Sequence, residues 1–148
     1  MQPPQPYFEG FKMIDLATLD VREACDKPFE FELEHPATKK GIGSFVSILG
    51  CESGKIREHE RIVADQRLAE LQEGKKRRSP EEGVQRIIDV AVVATVGWKN
   101  IKHKDLNGGK VLEFNLENVK ALYSIPGLDW IPVQIYQKVQ ELESFMKG

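Results

Sequence analysis

Residues 29–50 read FEFELEHPATKKGIGSFVSILG, and this stretch decides the class of the fold. Its first six residues alternate apolar and acidic side chains, which is the pattern of a strand with one buried and one wet face. Proline, polar residues and glycine over 35–41 supply turn chemistry, and a β-rich run from Ile42 to Leu49 follows. The stretch therefore predicts a β-hairpin. Because a lone hairpin is marginal in water, its apolar face needs cover from the rest of the chain.

The strongest helix signal begins at Ser79. Ser79 is predicted to cap the helix, with Pro80 in the first turn and Glu82 completing a capping box. Apolar residues then occupy nearly all faces as far as Trp98. A helix that is apolar most of the way round is buried between other elements, so we expect one core helix over 79–98.

The whole chain is predicted to be an α+β, mainly α-helical protein, with an N-terminal β-hairpin packed on a bundle of about four helices. Residues 1–12 are expected to be a flexible, proline-rich arm, and 13–148 a single domain. Residues 13–21 are predicted to be a loop or a short helical turn, and 55–71 an exposed helix with a narrow apolar stripe at Ala64, Leu68 and Leu71. A polar connection is predicted over 102–110, with its turn at Asn107-Gly108-Gly109. A short helix capped by Asn115 follows, and a last helix is predicted from about Trp130 or Pro132 to Phe145 or Met146.

Composition excludes several classes of protein. The 148 residues are 41% hydrophobic and 30% charged, which is typical of a globular rather than a disordered chain. A net charge of −2 indicates no strong general attraction to nucleic acid or anionic membrane, and no apolar run is long enough to cross a bilayer. Two cysteines and an N-terminus without signal-peptide features predict an intracellular protein with reduced thiols.

No catalytic residue, metal ligand or cofactor is predicted. His35, His59 and His103 are not spaced as metal ligands with one another or with a cysteine. Cys51 lies at a predicted strand-to-helix junction, where a helix N-terminus can activate a thiol, but the sequence places no histidine to act as its base. We therefore expect the chain not to be an enzyme.

Two features are candidates for binding a partner. The run Lys75-Lys76-Arg77-Arg78 is the best candidate for nucleic acid, although a solvated loop is the favoured interpretation because the run is short and lacks interleaved aromatic residues. Trp130, Phe145 and Met146 are the candidates for an apolar patch that binds a protein. For the two aromatic residues, packing in the core is the favoured interpretation and a partner-binding patch the alternative.

The order of these signals resembles the tail assembly chaperones of long-tailed bacteriophages, from about residue 13 to the end. Four features carry the likeness: the valine- and alanine-rich helix that ends in Gly97-Trp98-Lys99-Asn100-Ile101, the glycine turn after it, the helix start Phe114-Asn115-Leu116-Glu117-Asn118-Val119, and the final helix with Phe145. Each feature is also ordinary packing or capping, so the likeness lies in their order and spacing.

The resemblance implies a non-enzymatic protein that binds the tape-measure protein, a long helical protein that sets tail length, and helps to recruit tail-tube subunits. Such a chaperone acts in the host cytoplasm and is absent from the mature virion. Binding of several weak copies to one client would gain through avidity, which is compatible with a homo-oligomer. The alternatives from other classes are a structural tail or connector component of the virion and a small nucleic-acid-binding regulator that uses Lys75–Arg78.

Overall fold

A computed structural model describes residues 13–74 and 79–146; the predicted arm at 1–12 and the basic run at 75–78 lie outside the described residues. The fold is α+β, with 52% helix and 21% strand, as the sequence predicts. After a short 3-10 helix, Leu16–Leu19, the elements are α1 Val21–Asp26, β1 Phe29–Glu34, β2 Gly41–Ile48, α2 Gly54–Gln72, α3 Pro80–Ala94, β3 Thr95–Lys99, β4 Lys102–His103, β5 Leu106–Val111, α4 Leu116–Tyr123, α5 Trp130–Gln140 and α6 Leu142–Met146. No helix in the described ranges is long and apolar enough to cross a membrane.

The predicted hairpin is confirmed. Strands β1 and β2 are antiparallel, with Phe31 opposite Val46 and Glu30 opposite Ser47. The apolar positions of β1 face inward, so that Leu33 is 1% exposed, while the alternating glutamates face solvent. The alternation of apolar and acidic residues therefore fixed the buried face of this strand.

The helix predicted over 79–98 is wrong beyond Ala94. Ser79 caps it as expected, because its Oγ accepts the Glu82 N–H, but residues 95–99 form β3, which pairs with β2. The strand completes a sheet in the order β1-β2-β3. β-Branched residues on both sides of this boundary fit either structure, and pairing with the free edge of β2 decides for the strand.

The turn predicted at Asn107-Gly108-Gly109 is also misplaced. Residues 102–111 form the hairpin β4-β5, whose turn is at 104–105, and the three residues lie within β5. They have positive φ angles of 51°, 63° and 80°. The left-handed conformation that asparagine and glycine tolerate is thus used to distort a strand rather than to reverse the chain.

The loop or short helical turn predicted over 13–21 agrees with the structure, in which these residues contain the 3-10 helix and the start of α1. One further boundary differs from the prediction. The single last helix is two helices, because Glu141 adopts an extended conformation (φ −84°, ψ 91°) between α5 and α6. The short helix capped by Asn115 is confirmed, since Asn115 Oδ1 accepts the Asn118 N–H at 2.8 Å.

Four elements are joined at residues 49–51, which follow β2. The N–H groups of Leu49, Gly50 and Cys51 donate to the carbonyl groups of Ala94, Cys25 and Val139 respectively, each at 2.9 Å. These acceptors lie in the last turns of α3, α1 and α5. Three successive amides therefore bond the end of the hairpin to the C-terminal ends of three helices.

The core lies between the sheet and the helices. It contains buried apolar residues from β1 through α5, and α3 packs chiefly on α5. Tyr123 is almost completely buried, and its hydroxyl lies 2.9 Å from Thr95 Oγ1, which in turn donates to the Ala91 carbonyl. This polar chain satisfies the hydroxyl groups where α3 changes into β3.

We expect Gly50→Ala to lower the free energy of unfolding by about 1–3 kcal/mol or more, the usual cost of overpacking. A Cβ at this position would overlap Cys25 Sγ and lie 2.8 Å from Cys25 Cβ. Urea unfolding followed by circular dichroism measures the change. The matched control is Gly83→Ala in α3, where a Cβ meets nothing within 4 Å; it should stabilise the chain by roughly 0.5–1 kcal/mol. Equal effects of the two variants would contradict close packing at Gly50.

Tyr123 should make stability sensitive to alkaline pH. Burial raises the pKa of the Tyr123 hydroxyl well above the ordinary tyrosine value of about 10, against the smaller opposing effect of the Thr95 hydrogen bond. Because the folded-state pKa exceeds the unfolded one, this stabilisation is complete below about pH 10 and is lost as the pH rises above it. Tyr123→Phe should cost about 1 kcal/mol at neutral pH, and its stability should fall less between pH 9 and 11 than that of the wild type. Parallel pH profiles of the two proteins would rule out this contribution.

Candidate protein-docking groove

A groove runs along α3 between α2 and α4. It consists of two adjoining clefts, with volumes of about 440 and 230 Å³, that share His59, Gln85 and Asp89. From Glu82 in one cleft to Val93 in the other, it follows α3 for roughly 16 Å at about 1.5 Å per residue. The groove is therefore long enough to hold about three turns of another helix.

The floor of the larger cleft is apolar. Ile88, Val92 and Val93 contribute half-buried side chains from α3, although each also packs against the core. Lys120 of α4 and Ser124, the residue that follows α4, are exposed and form one wall. An apolar floor with polar walls is the general form of a site that recognises an amphipathic segment.

His59 forms the other wall and is the unusual residue of the groove. Its Nε2 atom is buried, and no hydrogen-bond partner for it exists in the described part of the chain. Buried polar groups in folded proteins are nearly always paired, and an orphan costs about 1–3 kcal/mol. The imidazole therefore lowers the stability of the chain at this position.

Polar contacts fix the walls of the groove relative to one another. Arg86 Nη2 lies 3.0 Å from Glu60 Oε2, an ion pair that joins α3 to α2. Within α3, the Gln85 side-chain amide donates to Asp89 Oδ1 at 2.9 Å. The groove thus has charged groups of both signs at its edges.

The three residues predicted to bind a partner lie at the start of α5 and in α6. Trp130 and Phe145 are half-buried and pack against the core, with the Phe145 ring 5.6 Å from that of Phe29 in an edge-to-face arrangement. Met146 is 37% exposed. None of the three lines the groove, and their role in binding stays a prediction.

The other histidines and the cysteines have local structural surroundings. Nδ1 of His35 accepts two backbone N–H groups in the β1-β2 turn, and Nδ1 of His103 accepts one in the β4-β5 turn. Cys25 and Cys51 are free thiols. Burial raises the pKa of both, and this disfavours the nucleophilic thiolate. No group of three or more potential metal ligands occurs among residues 13–74 and 79–146.

Comparison of the chain with protein-family models, curated proteins and solved structures finds no match. The likeness to tail assembly chaperones therefore rests on the sequence features given above. The groove was not predicted from the sequence, since its walls come from helices that are distant in the chain.

We expect His59→Leu to raise the free energy of unfolding by up to about 1 kcal/mol, because leucine fills the site without an unpaired buried nitrogen. Chemical denaturation measures the change. His35→Leu is the matched control: it removes the acceptor of two turn N–H groups and should destabilise the chain by a similar amount. A loss of stability in His59→Leu as large as that in His35→Leu would mean that His59 has a partner.

Proposed function

We propose that the chain is a non-enzymatic bacteriophage tail assembly chaperone that binds the tape-measure protein and helps to recruit tail-tube subunits. Two things support this proposal. The sequence resembles that family from about residue 13 to the end, and the α3 groove has the size and lining that a helical client requires. The unpaired His59 Nε2 is the observation that carries most weight, because a buried polar group without a partner is rare in folded proteins and this residue lines the groove.

The proposed mode of binding is a helix laid in the groove. A client helix would place aliphatic side chains, spaced at i, i+3 or i+4, against Ile88 and Val92. A polar side chain from the same helix would form a hydrogen bond with His59 Nε2 once the imidazole turns toward the groove, because this atom is buried in the free chain. Lys120 and Asp89 at the two sides would select the charges that flank the apolar face.

The tape-measure protein suits such a site because it is long and helical. Each groove would cover only a few turns, so one client would bind many copies, and weak individual contacts would add through avidity. Coating of this kind would keep the client from aggregating in the host cytoplasm until tail-tube subunits replace the chaperone. The protein would then be absent from the finished particle.

The test is coexpression with the tape-measure protein encoded in the same genome, followed by size-exclusion chromatography with light scattering. We expect a complex with several copies per client, and a client that is insoluble alone. His59→Leu should weaken binding about tenfold, equivalent to ~1.4 kcal/mol, while the free chain becomes no less stable. Val111→Asp, at a 61% exposed position outside the groove, is the control and should bind normally.

Other outcomes would favour the alternatives. A client that stays insoluble and a chain that elutes alone would refute the chaperone. Copurification with mature particles would instead indicate a structural tail or connector component. Binding of nucleic acid that falls steeply with salt, and is lost when residues 75–78 are neutralised, would indicate a regulator.

A further inference from the structure

The two thiols of the chain lie next to Gly50, in the junction that follows β2. Cys25, in the last turn of α1, is fully buried, and Cys51 is half-buried. The Gly50 N–H donates to the Cys25 carbonyl at 2.9 Å, and a Cβ on Gly50 would lie 2.8 Å from Cys25 Cβ. Since adjacent Cα atoms are about 3.8 Å apart, the Cα of Cys51 lies within roughly 8 Å of the Cys25 side chain. Two cysteines that are distant in the sequence are therefore neighbours in the fold.

The backbone N–H of Glu52 is a feature that both sulfur atoms share. It acts on each thiol as a hydrogen-bond donor and lowers the pKa of each, against the larger effect of burial. The charge of a Cys25 thiolate also raises the pKa of Cys51, because like charges close together repel. Two groups that interact with one N–H lie on the same side of the chain. The sulfur atoms thus converge on Glu52.

Cys51 also opens on a cleft at the surface. The cleft has a volume of about 400 Å³, within the range of small-molecule sites. Besides Cys51, it is lined by two acidic and two basic side chains: Glu52, Arg57, Glu60 and Arg61. Cys25 does not line the cleft. A reagent that enters the cleft therefore reaches the Cys51 sulfur first, and the Cys25 sulfur lies behind it.

We propose that Cys51 and Cys25 form a reversible disulfide when the chain meets a low-molecular-weight disulfide such as oxidised glutathione. Cys51 is the attacking thiol, because it faces the cleft. Cys25 is the resolving thiol, because it is fully buried and no reagent reaches it directly. The site is separate from the α3 groove, and its chemistry is independent of whether the chain binds a tape-measure protein.

The exchange takes two steps. The Cys51 thiolate attacks one sulfur of oxidised glutathione, the disulfide bond of the reagent breaks, and one glutathione leaves as its thiolate. The Cys25 thiolate then attacks the Cys51 sulfur, so that the mixed disulfide breaks, the protein disulfide forms and the second glutathione leaves. Two electrons pass from the protein to the reagent, and the two thiol protons end on the two glutathione molecules. An excess of reduced glutathione reverses both steps.

The disulfide would tie the end of α1 to the junction after β2. It closes a loop that contains the whole β1-β2 hairpin. A crosslink of this kind restricts the unfolded chain more than the folded one, and the oxidised protein is then the more stable form. Because α2 begins at Gly54, shortly after Cys51, the bond also strengthens the anchoring of that helix.

The experiment treats the reduced full chain with oxidised glutathione at mildly alkaline pH, where more of each thiol is ionised. Intact-mass spectrometry should show a product that is lighter by two hydrogen atoms and carries no glutathione. Without reduction, a digest should contain one linked pair of tryptic peptides with the two cysteines. The melting temperature should rise by roughly 5–10 °C on oxidation. The equilibrium constant for forming the disulfide should be about tenfold or more higher in the folded chain than in urea.

Two variants separate the roles of the thiols. Cys25→Ser lacks the resolving thiol, so it should stop at a mixed disulfide with one glutathionyl group and gain no thermal stability. Cys51→Ser lacks the thiol that faces the cleft, so it should not react while it is folded. The circular dichroism spectrum of each variant shows whether the fold is kept, and neither substitution changes a charged residue.

Four outcomes would overturn the proposal. A wild type that does not react would show that the cleft gives no access to Cys51. A wild type that keeps glutathione on Cys51 would show that Cys25 does not reach its sulfur. A disulfide between two copies, visible as a doubled mass without reductant, would mean that the accessible thiol joins chains instead. Equal equilibrium constants in the folded and the urea-unfolded chain would show that the fold does not bring the two thiols together.

Discussion

The hydrogen bonds of three successive amides, at Leu49, Gly50 and Cys51, are the constraint on which the rest of the structure depends. Each N–H donates to the last turn of a different helix, so the end of β2 fixes the positions of α1, α3 and α5 together. The carbonyl groups in the last turn of a helix lack partners within the helix, and these amides satisfy three of them. Gly50 is required at the centre because its Cα lies against Cys25, where a side chain would not fit.

This junction also determines why α2 projects from the fold. Ser53, which is fully buried, caps α2 two residues after Cys51, and the Gly54 N–H donates to Asp26 Oδ1. The helix therefore begins inside the junction and runs outward, and Ile56 in its first turn is its one buried residue. Within the described residues, its main contact with another helix is along α3. Both the groove and the exposed stripe are consequences of this projection.

Local signals in the sequence predicted local structure well. The alternation in β1 and the caps at Ser79 and Asn115 act over a few residues, and the structure contains each of them. The errors concern non-local contacts. Residues 95–99 become a strand because β2 offers an edge about 50 positions earlier, and α5 ends at Gln140 although its apolar spacing continues into α6. His59 could not be recognised as a groove residue, because its burial depends on how α2 packs on α3.

The groove and the apolar stripe lie on two different sides of α2. The groove uses the side with His59 and Val63, and the stripe with Leu68 and Leu71 lies on another face of the same helix. On the proposed function, copies bound along one client would space their grooves at intervals of a few client turns, and each bound groove would raise the effective concentration of client at the next. A long, repetitive helix would be selected over a short one by this spacing, even if each groove had little sequence preference. Specificity of this kind comes from the number and order of sites rather than from any single contact. In this chain it depends on α2, which is anchored at its first turn and leaves the groove open beside its later turns.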